Sequence, residues 1–204
     1  MLRRLSVLAG LLLCAVVAGC TSQPSNFYIL SAPVSASTEA VQTTRRRGPL
    51  IGVGPITMPQ YLDRTEIVTR DTATSVNVNE QNRWGGGLTE NFQNVLAEVL
   101  SEQLRTDRLF LYPWTTSGDM TYQITVQVNA FEARPDGQVV LDARWTVLSG
   151  GTQEVITMGR TLLREPVSTA PTGVSGPDYT RIAAAMSRSV ARLAQEIAAS
   201  GLRS

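Results

Sequence analysis

Two stretches of alternating apolar and polar residues constrain the fold of this chain more than any other feature. In the first, apolar residues occupy every second position from Met120 to Ala130, with threonine, glutamine and asparagine between them. In the second, Val139–Val147, the alternation returns after the turn sequence Arg134-Pro135-Asp136-Gly137. Alternation is typical of a strand with one buried face, and Pro-Asp-Gly favours a tight turn. The pattern predicts a hairpin, which residues Glu154–Leu163 extend to a three-stranded antiparallel meander.

Two other segments repeat apolar residues at helical spacing. From Leu88 to Leu104 apolar residues recur every three or four positions, and glutamate, glutamine and asparagine fall largely on the other face. A second apolar stripe begins at Ile182 and ends near Gly201, and Asp178 precedes it in the position of an N-cap. The spacing predicts two amphipathic helices.

Shorter β-like segments complete the pattern, and they are Phe27–Leu30, Leu50–Pro55, Glu66–Arg70, Thr74–Val78 and Leu109–Tyr112. The whole arrangement predicts an α+β fold: a single domain with a mostly antiparallel or mixed sheet of about seven strands and two amphipathic helices. The expected core residues lie on the apolar faces of these elements, and they are Phe92, Leu96, Leu100, Ile124, Val126, Leu141, Trp145, Ile182 and Leu193.

The N-terminus has the layout of an export signal. Arg3 and Arg4 precede a short apolar run that ends in Val17-Ala18-Gly19-Cys20, the pattern of a bacterial lipobox. Residues 1–19 are therefore predicted to be a lipoprotein signal peptide, and Cys20 the site that receives the acyl chains. An ordinary signal peptide with a chance cysteine is the alternative. Thr21 stands where an aspartate favours inner-membrane retention in enterobacteria, so we expect the outer membrane.

The residues after Cys20 predict a tether followed by the folded domain. Residues 20–49 form the lipidated tether, which contains the short strand Phe27–Leu30 and a Ser/Thr/Ala/Arg linker ending in Arg45–Arg47. That arginine triplet is either a solvated loop or a contact to lipid headgroups. Residues 50–201 form the predicted domain. Since six residues separate Cys20 from Phe27, a docked strand would hold the domain within about 20 Å of the membrane.

The composition excludes several classes of chemistry. The chain has no histidine and no lysine, Cys14 leaves with the signal peptide, and Cys20 is predicted to be lipidated. The usual ligands of zinc, haem and iron–sulfur clusters are then missing, as are Ser-His, Cys-His and lysine nucleophile systems. The carboxylates form no convincing pair. We expect no catalytic residue, no metal and no cofactor.

The charge of the mature chain argues against nucleic acid as a partner. Removal of Arg3 and Arg4 leaves 16 arginines against 17 acidic residues, from 18 and 17 in the full sequence. A net charge near zero gives no electrostatic attraction to a polyanion.

One block resembles a known family. It reads Ile51-Gly52-Val53-Gly54-Pro55-Ile56, then Pro59-Gln60-Tyr61-Leu62-Asp63-Arg64, then Ile67-Val68-Thr69-Arg70. Together with the lipobox, the aromatic strand and Arg83-Trp84 before a helix, this block is similar to the ABC-type transport auxiliary lipoproteins. The resemblance covers Cys20 to about Leu104 by motif, and Gly85-Gly86-Gly87 departs from the residues expected there.

The resemblance implies a role and partners. It implies a non-enzymatic outer-membrane lipoprotein that faces the periplasm and acts with an MCE-domain protein spanning the periplasm. The two would move lipids, in particular phospholipids, between membranes and so support membrane integrity. A homo-oligomer is a further arrangement to test. The alternative class is a structural or assembly accessory lipoprotein of an outer-membrane or cell-wall complex.

The connector Pro59–Arg64 is the candidate partner site. Tyr61, Leu62, Asp63 and Arg64 supply an aromatic, an aliphatic and two charged side chains in one loop, and aromatic residues and arginine are enriched at binding hot spots. We expect this connector to be exposed. The competing interpretation is that Tyr61 and Leu62 close the edge of the core.

Overall fold

The computed structural model describes residues 24–33, 48–114, 120–168 and 176–202. The predicted lipidation site Cys20 and the triplet Arg45–Arg47 lie outside this part of the chain. The described elements follow one another in the order β1 (Asn26–Tyr28), β2 (Ile51–Thr57), β3 (Glu66–Arg70), β4 (Val76–Trp84), α1 (Leu88–Leu104), β5 (Leu109–Leu111), β6 (Tyr122–Ala133), β7 (Gln138–Ser149), β8 (Val155–Pro166) and α2 (Tyr179–Ala199).

Strand β6 organises a curled mixed sheet of eight strands. Along one edge it pairs with β7 in an antiparallel ladder, and β7 pairs in turn with β8. Along its other edge β6 pairs in parallel with β2 near its start and with β3 at its end. The sheet therefore divides beside β6 into two branches, one continued by β5 and the other by β4 and then β1.

The predicted α+β fold and the three-stranded meander are confirmed, with eight strands in place of about seven. Both predicted helices are present, and the Asp178 side chain accepts a hydrogen bond from the backbone N–H of Arg181 at the start of α2. Strand β4 is longer than expected and includes Trp84, which ends the strand with a buried side chain. The glycine run 85–87 follows Trp84 and separates β4 from α1.

The N-terminal segment is docked in the sheet. Asn26–Tyr28 runs parallel to the end of β4, and the Gly85 N–H donates to the Tyr28 carbonyl. The predicted strand therefore forms, although it ends before Ile29. Leu30 continues into the core, where its N–H donates to the Asn91 side chain at 3.1 Å. The folded unit thus includes residues that precede position 50.

Both helices pack against the sheet and against each other. We call the side of the sheet that they cover the inner face and the other side the open face. At the centre of the core the rings of Phe92 on α1 and Phe131 on β6 meet edge to face, with centroids 5.4 Å apart. All nine predicted core residues are buried, so the periodicity identified the inner faces of these elements correctly.

The alternation in β6 is interrupted by a bulge. The register of the β6–β7 ladder shifts between Val128 and Ala130. Before the bulge the even-numbered residues point inward, whereas after it Phe131 and Ala133 do so. Ala130, which the alternation assigned to the inner row, is therefore on the open face beside Asp142. One extra residue in a strand exchanges the two faces for every residue that follows.

Candidate functional site

The connector Pro59–Arg64 is a tight turn that folds back over the open face. The N–H groups of Leu62 and Asp63 both donate to the Pro59 carbonyl, at 2.9 and 3.3 Å. Leu62 is only 2% exposed and belongs to the hydrophobic core. The expectation of an exposed connector is therefore wrong at Leu62, because the turn is short enough to direct this side chain inward. Asp63 and Arg64 are exposed as expected.

Tyr61 joins a polar cluster with two residues that the sequence did not single out. Its hydroxyl donates to Glu132 Oε2 at 2.9 Å, and Arg70 Nε donates to Glu132 Oε1 at 2.7 Å. The Phe131 N–H also donates to Glu132, at 3.0 Å. Glu132 is fully buried although it faces the open side of the sheet, because Tyr61 and Arg70 cover it. A buried carboxylate with three donors is stable only while those donors stay in place.

The electrostatics of this cluster follow from burial and from the charge of Glu132. Burial and the neighbouring carboxylate raise the pKa of Tyr61 to about 12. The hydrogen bond to Glu132 likewise raises the pKa of Arg70. The Arg70 guanidinium also lies 5.8 Å from the centroid of the Tyr61 ring, within cation–π range. Neutral Tyr61 thus lies over the buried ion pair of Arg70 and Glu132, and its hydrogen bond to Glu132 holds the connector against the sheet.

Replacing Tyr61 by phenylalanine tests this interpretation. Loss of the hydroxyl removes one donor from a buried carboxylate, so the free energy of unfolding should fall by about 1–3 kcal/mol. Because the folded state raises the pKa of Tyr61 from 10.0 to about 12, protonated Tyr61 contributes stability that is fully present below pH 10. That contribution is lost as the pH rises through about 12. Urea titrations should show a smaller alkaline loss for Tyr61→Phe than for the wild type.

A row of charged and apolar side chains crosses the open face beside the connector. Glu66 on β3, Arg83 on β4 and Phe27 on β1 are register partners, so their side chains share one side of the sheet. Arg64 Nε donates to Glu66 at 2.9 Å, and an Arg83 nitrogen lies 3.9 Å from the same carboxylate. The hydrogen bond from Arg64 lowers the pKa of Glu66. The connector and β1 therefore meet on one continuous surface.

The β1 end of this row is unusually apolar for an exposed strand. Phe27 is 67% exposed and lies on the open face as the register partner of Arg83, and Ile29, just beyond the strand, is 63% exposed. Tyr28 points the other way, to the ring of Tyr179 on α2 at 6.1 Å. Gly85 lies beneath Ile29, and a Cβ there would be only 3.1 Å from Ile29 Cγ2. The first residue of the glycine run thus leaves room for Ile29.

A cleft of about 340 Å³ lies between the N-terminus of α2 and the ends of β3 and β6. Arg70 and Arg134 line it, and Nε of Arg134 is buried with no hydrogen-bond acceptor among the described residues. Asp71 lines the same cleft, and Arg70 is already paired with Glu132. The charges that remain, on Arg134 and Asp71, are opposite and equal, so the cleft favours neither an anionic nor a cationic ligand.

No group of three or more acidic, cysteine or histidine residues in the described part of the chain could hold a metal ion. Neither α1 nor α2 has the length and apolarity of a membrane-spanning helix.

The sequence patterns did not indicate that Glu132 and Arg70 form a polar cluster or that Phe27 and Ile29 form an exposed apolar pair. Glu132 follows the bulge, where alternation no longer tells which face a residue occupies. Phe27 and Ile29 were assigned to a docked strand by their β propensity, and docking was correct. Propensity alone does not say that this strand lies at the edge of the sheet with one face uncovered.

Comparison with known proteins identifies a family and a relative of known name. Residues 28–198 match the family model described as the ABC-type transport auxiliary lipoprotein component. The intermembrane transport lipoprotein PqiC of Escherichia coli strain K12 is 28% identical over 130 residues, covering 63% of this chain and 67% of the relative.

Two crystal structures share the fold. One, of an uncharacterized protein, has a TM-score of 0.67 and 19% identity, covering 87% of this chain and 98% of its own. The other, of a protein from Xanthomonas campestris, has a TM-score of 0.66 and 14% identity, covering 85% of this chain and 93% of its own. At these identities the two structures are evidence for the fold alone.

Proposed function

From the premise that this chain belongs to the family of ABC-type transport auxiliary lipoproteins, we propose that it is a non-enzymatic component of an envelope lipid transport system. Cys20 carries the acyl chains, and the domain faces the periplasm from the outer membrane. The cargo is phospholipid, and the transport supports membrane integrity. The similarity to a relative named as an intermembrane transport lipoprotein supports the transport role.

The observation that carries this proposal is the docking of β1. Six residues separate Cys20 from Phe27, and Asn26–Tyr28 is hydrogen-bonded into the sheet. At about 3.3–3.6 Å per extended residue, the domain then lies within roughly 20 Å of the lipidated cysteine. A domain held so close to one membrane does not reach the other, and the distance must be covered by a partner.

The partner that we propose is an MCE-domain protein that spans the periplasm. Asp63 and Arg64 are the exposed members of the predicted partner site, while Tyr61 and Leu62 support them from below. Tyr61 is bonded to Glu132, and Leu62 is buried. Contact with the partner would therefore be made by Asp63 and Arg64, with the two inner residues fixing the shape of the turn.

Cross-linking in intact membranes followed by affinity capture of this protein tests the proposed role. Recovery of an MCE-domain protein is the expected result. Recovery of a β-barrel assembly or cell-wall protein in its place would instead favour a structural accessory lipoprotein. Lipid transfer between membranes should also slow when the gene is deleted and recover when it is restored.

Replacing Arg64 by alanine should weaken capture of the partner without unfolding the domain. Arg64 lies at the surface in an ion pair with Glu66, and exposed ion pairs contribute only about 0–1 kcal/mol to stability. Arg160→Ala is a matched control, because Arg160 on the distant strand β8 forms a comparable surface pair with Asp142 on β7. Loss of capture in Arg64→Ala alone is the expected outcome. Equal capture by both variants would reject the connector as the contact.

Self-association is a further part of the proposal. Ile156, Met158 and Leu162 lie on the open face of β8 and are 49%, 66% and 56% exposed. Among the described strands β8 pairs only with β7, so its second edge and this apolar row are both available to a second copy. Light scattering of the mature protein in detergent measures the assembly, and a monomeric mass would reject it.

A further inference from the structure

We propose that the open side of β1 is a membrane-contacting surface, in which Phe27 and Ile29 enter the headgroup region of the bilayer and Arg83 meets lipid phosphates. This inference rests on the lipid anchor of the proposed function and adds an orientation to it. The domain would lie against the membrane on one defined side.

The exposure of the two apolar residues is the first argument. Phe27 and Ile29 are among the most exposed large apolar side chains of the described chain, at 67% and 63%. Phe27 lies on β1, and Ile29 follows two residues later, just beyond the end of the strand. The Ile29 side chain lies beside Gly85, the second residue after Arg83, so it projects from the same face as Phe27. Exposure of an aromatic and an aliphatic side chain to water is unfavourable, and insertion into an apolar phase removes that surface from water.

The distance to the anchor identifies the bilayer as the occupant. Phe27 is the seventh residue after Cys20, and a chain of that length cannot extend beyond roughly 25 Å. Every other exposed apolar side chain in the described ranges is later in the chain and is held by the folded domain. Phe27 and Ile29 are thus the apolar pair that lipidation brings to the membrane first.

The surroundings of the pair also suit a lipid surface. Arg83 is the register partner of Phe27, and its side chain is 40% exposed. Glu66 lies between Arg83 and Arg64, so two guanidinium groups face one carboxylate in this row. Asp63 is exposed on the connector and offsets part of that charge. Arginine and aromatic side chains together are typical of segments that lie in a membrane interface.

The glycine run 85–87 removes a steric obstacle. These three residues are exposed and adjoin β1 through the bond between the Gly85 N–H and the Tyr28 carbonyl. No heavy atom lies within 4 Å of a Cβ built on Gly87. Gly85, the residue beside Ile29, has no side chain that would project over the pair, and the Glu90 carboxylate lies near Gly86 further along the run.

Fluorescent labels can locate the contact in the lipidated protein. Cys20 is the only cysteine of the mature sequence and its sulfur carries lipid, so Phe27→Cys or Ile29→Cys provides a single free thiol for an environment-sensitive dye. Phe110→Cys is the matched control, because Phe110 is 46% exposed on β5, at the other end of the strand order from β1. The mature protein is reconstituted into vesicles of phosphatidylethanolamine and phosphatidylglycerol that contain nitroxide-labelled lipids.

We expect dyes at positions 27 and 29 to lose most of their fluorescence to the nitroxide lipids, and the dye at position 110 to lose little. Equal quenching at all three positions, or quenching at none, would overturn the orientation. If the protein does not float with the vesicles, the anchor itself is refuted and this contact with it. Flotation without quenching at 27 and 29 refutes the contact alone.

The contribution of Arg83 has its own test. Replacing phosphatidylglycerol by phosphatidylcholine should reduce the quenching at position 27, because the attraction between the guanidinium and anionic lipid is lost. Arg83→Gln in the anionic vesicles should produce the same reduction. Quenching that does not respond to lipid charge or to this substitution would remove Arg83 from the proposed contact.

Discussion

Leu96→Asp is expected to leave this protein largely unfolded at ordinary temperatures. Leu96 is completely buried on α1, and an aspartate there would be a buried charge without a partner. Such a substitution costs about 4 kcal/mol or more, against a total stability of roughly 5–15 kcal/mol for a domain. Val126→Asp places the same charge on the sheet side of the core, where Val126 is 2% exposed, and should have a similar effect.

A control on the same helix separates burial from charge. Asn94 is exposed on α1, so Asn94→Asp introduces the same side chain into water and should change stability by no more than about 0.5 kcal/mol. Thermal melting followed by circular dichroism measures all three variants. Melting of Leu96→Asp and Val126→Asp at the wild-type temperature would show that the core is not where the structure places it.

Cys20→Ala is expected to abolish lipidation and cleavage of the signal peptide completely. In the proposed modification the Cys20 thiol accepts a diacylglyceryl group and forms a thioether, and removal of the signal peptide of a lipoprotein depends on that step. The variant should therefore accumulate as an unmodified precursor with its apolar N-terminal run intact. Mass spectrometry of the purified protein measures both events, since lipidation adds mass and cleavage removes residues 1–19.

The other cysteine provides the control. Cys14 lies within the apolar run and is predicted to leave with the signal peptide. Cys14→Ala should therefore be cleaved, lipidated and recovered in the membrane fraction like the wild type. A wild-type protein whose Cys20 carries no lipid would refute the anchor, and the roles assigned to the tether would have to be abandoned.

Periodicity predicted those parts of the fold whose burial is decided along a single element. The stripe on α1 placed Phe92, Leu96 and Leu100 in the core, and the alternation in β6 did so for Ile124 and Val126. In each case one face of a regular helix or strand meets the interior, and the spacing of apolar residues records that face.

The parts that could not be predicted depend on neighbours distant in sequence. The bulge at Asn129 is a property of how β6 pairs with β7, and it decides that Glu132 faces Tyr61 and Arg70. A glutamate in a β pattern suggests a solvated position, yet this one is fully buried. Its burial requires two covering side chains from separate segments, which sequence periodicity does not report.

The same limit applies to the candidate site. The connector was located correctly between two strands, but the direction of each side chain within it follows from the bonds of the turn to Pro59. Leu62 turned inward and Arg64 outward for that reason. The family resemblance drew attention to the connector. The packing shows that Tyr61 and Leu62 support the turn and that Asp63 and Arg64 are exposed.

The docking of β1 also determines how the protein carries mechanical load. If Cys20 carries the proposed lipid and the domain binds the proposed partner, a pull between the two passes first through the three-residue ladder to β4, then through Leu30 and its bond to Asn91. If this short segment were released, residues 21–49 would lie between the lipid and β2, and the strands β6, β7 and β8 would keep their pairing. The available length would rise from roughly 20 Å to about 100 Å. Under load the attachment would therefore lengthen through loss of β1 and Leu30, before any strand of the meander separates from its neighbours.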